Sequence, residues 1–317
     1  MATLTLSSTL TTGQYKRSLP VYNKAPSSTA YNQYIASDLT GATSRTVNAM
    51  VLGAGTGFTG SVVPGDYISD NNTSGITFLV FNRVTNIKDV NLNVGPGNGS
   101  GSNQDLGDSI YVETGDHSTG NPSISVNFIN SKIITGDETS PLNDKDLVVF
   151  GSDQSKIGQT YLISQGSFKA TINGLLVSAE DLPNQSPLTL QSSTVQTGNG
   201  DDTLLFANTN ASTVIGGDSS QGNLFDLGEG ADVVYFAAPN TIYGNNVINI
   251  GKKDGTVDGQ ADSLVFNGTN FANVNGTTTY LTVKGFENTK DSLFYNSIQY
   301  QDKATISTVT GNKIQFT

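Results

Sequence analysis

Asp202, Asp232 and Asp262 stand 30 residues apart, each two residues before a large aliphatic side chain (Leu204, Val234, Leu264) and four before a phenylalanine (Phe206, Phe236, Phe266). Six further acids (Asp201, Asp218, Asp226, Glu229, Asp254, Asp258) lie between Gly198 and Asp262, against only Lys252 and Lys253. Carboxylates at this density repel one another unless cations are bound. Adjacent acids such as Asp201 and Asp202 point to opposite faces of a strand, so they cannot flank one glycosidic bond. The chemistry this pattern offers is therefore cation binding rather than acid–base catalysis.

A fixed period of 30 residues is the mark of stacked coils. The three copies read TGNGDDTLLF (197–206), LGEGADVVYF (227–236) and VDGQADSLVF (257–266). Between them STVIGG (212–217) resembles NTIYGN (240–245), and NLFDLG (223–228) resembles NVINIG (246–251), so each coil holds two or three short strands joined by Gly/Asn turns. Alternation along a strand places Leu204/Val234/Leu264 and Phe206/Phe236/Phe266 in two inward ladders. The opposite row, Leu205, Tyr235 and Val265, is too apolar for water and calls for a cover, either the N-terminal region or a second subunit. The same Asp-led motif recurs at Asp108 (DSIYV), Asp146 (DLVVF) and Asp291 (DSLFY), but the first two lie 38 apart, which requires an insertion if they belong to the stack.

The rest of the composition agrees with an all-β chain. Charged residues make up 14%, and Gly, Ser, Thr and Asn carry most of the polarity among β-branched residues. Ile76–Phe81 (ITFLVF) reads as a strand buried on both faces, and Asp89–Val94 (DVNLNV) as a half-buried one. Only Ser28–Leu39 has a helical pattern. Two prolines near Asn184–Leu190 suggest a boundary. The expected organisation is a β-rich assembly or surface domain over 1–185, followed by a parallel β-solenoid or β-roll-like domain over 186–317 with about 30 residues per coil.

The chain has no cysteine and a single histidine, His117, in the loop-like TGDHSTGN. Disulfides, thiolate sites and multi-histidine zinc sites are thereby excluded. The formal net charge of −11 argues against nucleic acid as a partner. No apolar run approaches the ~20 residues of a membrane span, and MATLTLSSTLTTGQYKRSLP has no secretory-signal pattern. Gly55-Thr-Gly57-Phe-Thr-Gly60 matches a dinucleotide fingerprint, yet Pro64 forbids the helix that would hold a pyrophosphate.

The segments Gly198-x-Gly200-x-Asp202-x-Leu204 and Gly228-x-Gly230-x-Asp232-x-Val234 resemble the nonapeptide G-G-x-G-x-D-x-U-x of RTX proteins, where U is a large apolar residue. The first glycine of that motif is missing from every copy, and other strands separate the copies. The resemblance implies Ca2+ as the bound ion, with Asp202 and Asp232 as carboxylate ligands and Gly198, Gly200, Gly228 and Gly230 lending carbonyls. In the third copy Asp258 and Gln260 replace the glycines, and Asp262 is carried as a ligand by its alignment. The alternative on the same residues is a turn that the aspartate caps with its own side chain, giving a metal-free solenoid.

RTX-like proteins leave the cell by type I secretion with an uncleaved C-terminal signal. By that resemblance ATISTVTGNKIQFT (304–317) is either such a signal or a last edge strand. The function expected is a secreted, non-catalytic, calcium-dependent structural protein at the cell surface, self-assembling into an S-layer, filament or matrix, with a cell-surface polysaccharide as a further partner. Two alternatives stand beside it. One is a virion component such as a capsid decoration or tail-associated protein of a phage. The other is a carbohydrate-active enzyme carrying RTX-like repeats.

Overall fold

A computed structural model describes residues 126–136, 146–152, 187–206, 213–216, 222–236, 240–272, 281–296 and 298–317, together with the backbone of short strands elsewhere in the chain. Those strands assemble into three long sheets of ten, nine and seven strands, referred to here as sheets 1, 2 and 3. One coil visits them in the order 3, 2, 1. Leu188–Gln191, Thr194–Gln196 and Thr203–Phe206 make one coil, and Thr213–Gly216, Leu224–Asp226 and Val233–Phe236 the next. Asn240–Tyr243, Asn246–Asn249 and Ser263–Phe266 then stack on those, and Thr269–Phe271, Leu281–Lys284 and Ser292–Tyr295 follow. All these neighbours pair in parallel, as the 30-residue period requires.

The expected inward ladders form. Leu204 pairs with Val234 and Val234 with Leu264, while Phe206, Phe236 and Phe266 follow in the same register. All six side chains have no measurable exposure. The rings lie almost parallel, with centroids 5.5 Å apart for Phe150–Phe206, 4.6 Å for Phe206–Phe236 and 4.9 Å for Phe236–Phe266. Phe128 and Phe225, from the other two sheets, meet Phe150 and Phe206 edge-on, beside aliphatic side chains such as Leu190, Val195 and Ile215. Such pairs contribute roughly 0.5–1.5 kcal/mol beyond their buried area.

The stack reaches upstream of residue 186. Leu147–Ser152 pairs with Thr203–Phe206, Val126–Ile129 with Leu188–Gln191, and Lys132–Ile134 with Thr194–Gln196, so strands from both sides of that position meet in all three sheets. Ser109–Val112 pairs residue for residue with Leu147–Phe150, which resolves the spacing of 38 as an enlarged coil. A larger insertion separates Leu147–Ser152 from Leu188–Gln191 and holds two small hairpins, Ser164–Gln165 with Phe168–Lys169 and Thr171–Ile172 with Leu175–Leu176. Pro187 stands where the chain returns to the stack, its carbonyl accepting from Val126 N at 2.8 Å.

Other expectations have mixed outcomes. ITFLVF lies in a strand of sheet 1 (Ile76–Asn82), and DVNLNV contributes Asn91–Asn93 to sheet 2. Of the helical pattern at 28–39, only Ala36–Ser37 is described, and it is a strand paired with Lys16–Arg17. The rest of that segment and His117 lie outside the described residues. Gly60 opens a strand, Gly60–Val62, rather than a helix.

The C-terminal tail closes the stack. Lys303–Val309 is a helix, capped by Asp302, whose Oδ2 accepts from Thr305 N at 2.8 Å. Ile306 enters the core, and Ile314–Phe316 adds the last strand of sheet 2. Ile298–Tyr300 turns back antiparallel against Ser292–Tyr295. Among the described residues no helix is long and apolar enough to cross a membrane.

Candidate functional site

Where each coil turns from sheet 2 into sheet 1, the aspartates stack into one ladder. Asp146, Asp202, Asp232, Asp262 and Asp291 are each 2% exposed or less. Every step repeats one bond: the backbone N–H of each aspartate donates to Oδ1 of the aspartate one coil on. The distances are 2.8 Å for Asp146 to Asp202, 2.9 Å for Asp202 to Asp232, 2.8 Å for Asp232 to Asp262 and 3.0 Å for Asp262 to Asp291. The carbonyls of Asp146, Asp202, Asp232 and Asp262 in turn accept from the first amide of the next coil's sheet 1 strand, as Ser263 N donates to Asp232 O at 2.8 Å. At the corner the side chain thus supplies an acceptor that the backbone ladder lacks, and a buried amide left without one costs roughly 1–3 kcal/mol.

The second oxygens are the unusual part. Oδ2 of Asp232 and Oδ2 of Asp262 are sealed in the interior with no hydrogen-bond partner. Burial, then the neighbouring charges of Asp202 and Asp262, pushes the Asp232 carboxyl well above the usual carboxylate range. Burial raises Asp262 to about 9, against the opposing pull of the Asp232 amide. Asp291, at the end of the ladder, is also raised by burial, although its Oδ2 accepts from Glu287 N. Burial and the neighbouring acids thus favour the protonated over the ionised form at Asp232 and Asp262.

The glycines ahead of the ladder pack turn on turn. Gly198 and Gly228 have φ of 92° and 87°, a region that favours glycine. A Cβ on Gly228 would lie 1.9 Å from the carbonyl oxygen of Gly198, and one on Gly230 would lie 1.6 Å from that of Gly200. These carbonyls therefore abut the next coil's backbone. In the third turn Asp258 takes a glycine's place and uses both oxygens, Oδ2 accepting from Gly230 N at 2.8 Å and Oδ1 from Gln260 N at 2.9 Å. Asp201 Oδ1 accepts from Ala231 N at 3.1 Å.

The structure brings together all seven sequence-derived residues, Gly198, Gly200, Asp202, Gly228, Gly230, Asp232 and Asp262, at one corner of consecutive coils. Equivalent oxygens one coil apart are separated by about 4.8 Å, twice a calcium–oxygen distance of about 2.4 Å. Two carboxyl oxygens are nonetheless far short of the six to eight that Ca2+ takes. Among the described residues no three acidic side chains converge as a metal-holding group. The turn thus offers acidic oxygens without presenting a ready cage.

Two features were missed as site elements. Asp146 and Asp291 extend the ladder, and their shared Asp-led motif was the available signal. At the corner from sheet 3 to sheet 2, Ser131, Ser193, Asn223 and Asn246 repeat the same device with neutral side chains. Ser131 N donates to Ser193 Oγ at 3.2 Å, Ser193 N to Asn223 Oδ1 at 2.9 Å and Asn223 N to Asn246 Oδ1 at 3.1 Å. The asparagines opening NLFDLG and NVINIG carried that signal. No family model, curated protein or solved structure matches this chain.

Proposed function

We propose that this chain is a non-catalytic structural protein acting outside the cell, a rigid rod within a surface layer, filament or matrix of many copies, with calcium coupled to its folding. The observation that supports this reading is the continuity of the stack: three sheets of parallel coils run in register around a solid core of aliphatic and aromatic ladders. A ten-stranded sheet at ~4.8 Å per strand is roughly 40 Å long, the dimension of a spacer. Export by type I secretion follows from the sequence resemblance. Calcium would meet the acidic corner only outside the cytosol, where it offsets the mutual repulsion of those side chains and favours the compact state.

Calorimetry and circular dichroism with calcium titrated against EGTA, followed by sizing, test the proposal. A ligand at a hundred times its Kd adds about 2.7 kcal/mol to stability, so calcium is expected to raise Tm and to shift the protein to multimers. An unchanged Tm and an unchanged size at millimolar calcium would reject calcium-coupled assembly and favour the metal-free turn.

A further inference from the structure

Sheet 3 turns a different surface outward from the other two. On sheet 1 the outward row of Val149, Leu205, Tyr235 and Val265 is 3% exposed or less. On sheet 2 the outward positions include Lys132, Asp226 and Lys284, and Leu224 is 38% exposed. On sheet 3 the strands Val126–Ile129, Leu188–Gln191, Thr213–Gly216, Asn240–Tyr243 and Thr269–Phe271 send Phe128, Leu190, Ile215, Ile242 and Phe271 into the core. Alternation turns the residues on either side of each outward, and none of them is charged, in a chain of net charge −11.

Thr189, Val214, Thr241 and Asn270 follow one another in a row along this face, and Gln191, Gly216 and Tyr243 lie in the row beside it. Asn270 is exposed, and Thr189, Gln191, Thr241 and Tyr243 are half-buried. The Tyr243 ring leans along the sheet: its Cδ2 and Cε2 lie 2.7 Å from where Gly216 would carry a Cβ. On the other side Ala272, whose N–H donates to Ile242 O at 3.0 Å, offers only a methyl. An aromatic laid over a strand glycine shields that backbone. It also presents a rigid, amphipathic contact surface between small neighbours.

We propose that the outer face of sheet 3 binds an extended, uncharged polysaccharide, one sugar ring lying on Tyr243 and its hydroxyls meeting Gln191, Thr241 and Asn270. Amide and hydroxyl side chains both donate and accept hydrogen bonds, as sugar hydroxyls do. Rungs recur every ~4.8 Å along the shaft, so a ligand of repeating units meets repeating groups. The face offers no counter-charge to an anionic or cationic partner. A single aromatic among hydroxyls and amides also falls short of the clustered large anchors that a protein partner needs. This inference deepens the proposed surface role by naming a partner, and rests on that role only for where such a glycan is met.

Affinity electrophoresis of the full chain tests it, in native gels containing galactomannan, xyloglucan or hydroxyethylcellulose, with polygalacturonate as the charged control. Millimolar calcium in every gel keeps the chain folded under either outcome of the calcium titration, so the two readings fail separately. At least one neutral glycan is expected to retard the protein. Tyr243→Ala should raise the apparent Kd at least about tenfold, the effect of losing a principal anchor. Tyr243→Phe, which keeps the ring, should bind within about threefold of the parent, the loss of one hydroxyl bond at most. No retardation by any of the three neutral glycans overturns the inference, as does stronger retardation by polygalacturonate. Unchanged binding by Tyr243→Ala overturns it too, and so does a fall in oligomeric size in that variant, which would make the face a contact between copies. Should Tyr243→Ala fail to fold, Gln191→Ala combined with Asn270→Ala decides, and unchanged binding there overturns the inference.

Discussion

Replacing Asp262 with Asn tests the ladder at the level of one atom pair. Asp262 has its carboxyl raised from 3.8 to about 9, so the folded state holds a proton that the unfolded chain releases. A group raised in the folded state contributes stability that is fully present below about pH 4 and is lost as pH rises towards 9, at about 1.4 kcal/mol per pH unit. Tm is therefore expected to fall as pH climbs from 5 to 9, the reverse of ordinary acid denaturation. Asp262→Asn, which keeps an acceptor for Asp232 N, should flatten that slope. Asp254→Asn removes the same formal charge from an exposed loop, where hydrogen bonds from Thr256 lower the carboxyl, and should leave the slope unchanged. A thermal scan of the three proteins across pH decides the point; parallel slopes would show that Asp262 is ionised in the fold. The glycines are tested in the same way. Gly228→Ala drives a Cβ into the Gly198 carbonyl at positive φ, with an expected loss of at least about 2 kcal/mol in denaturant unfolding. Gly311→Ala also has positive φ but meets nothing within 4 Å, and should cost about 1 kcal/mol.

At the scale of the element, the strands of sheet 1 were readable because one period governs them. Leu204, Phe206 and their equivalents repeat without an offset, so alternation alone assigned their faces. Sheet 3 was harder. STVIGG and NTIYGN look alike when Thr213 is set on Thr241, but the structure pairs Thr213 with Asn240 and Ile215 with Ile242. A slip of one residue exchanges the two faces of a strand, so burial of both isoleucines fixes the true register and outweighs local likeness. The helix Lys303–Val309 escaped notice because Thr, Ile and Val are weak helix formers; the Asp302 cap and the burial of Ile306 hold it. The Asp and Asn ladders were half legible, since the recurring residues were visible but their bond to the preceding coil's amide needed the register. Phe236 sits in the middle of the ring stack between Phe206 and Phe266. Phe236→Ala should cost roughly 3–5 kcal/mol in denaturant unfolding, the range for emptying a buried aromatic site. A loss below 1 kcal/mol would mean that the stack is not the principal core.

For the whole molecule, the sequence overstated the break at 185 because prolines and a change of composition look alike whether they end a domain or close an insertion. Only pairing across that position distinguishes the two. Solenoid stability is a sum over neighbouring coils, so a loop of any length is tolerated provided the rungs on either side still meet. The closed end carries its own prediction. Ile306→Asp places a charge where the side chain has no exposure, and should loosen the helix and strip the terminal rung. Light scattering should then show association through the bared strand edges. A monomer with native Tm would show that the helix is dispensable.

The aspartate bonds have a direction: each amide waits for a carboxyl that lies later in the chain. During synthesis a rung is left incomplete until its successor has been made, so maturation sweeps towards the C-terminus like a zip. A ribosome stalled after Phe236 would hold a nascent chain whose newest corner still lacks its latch, Asp262.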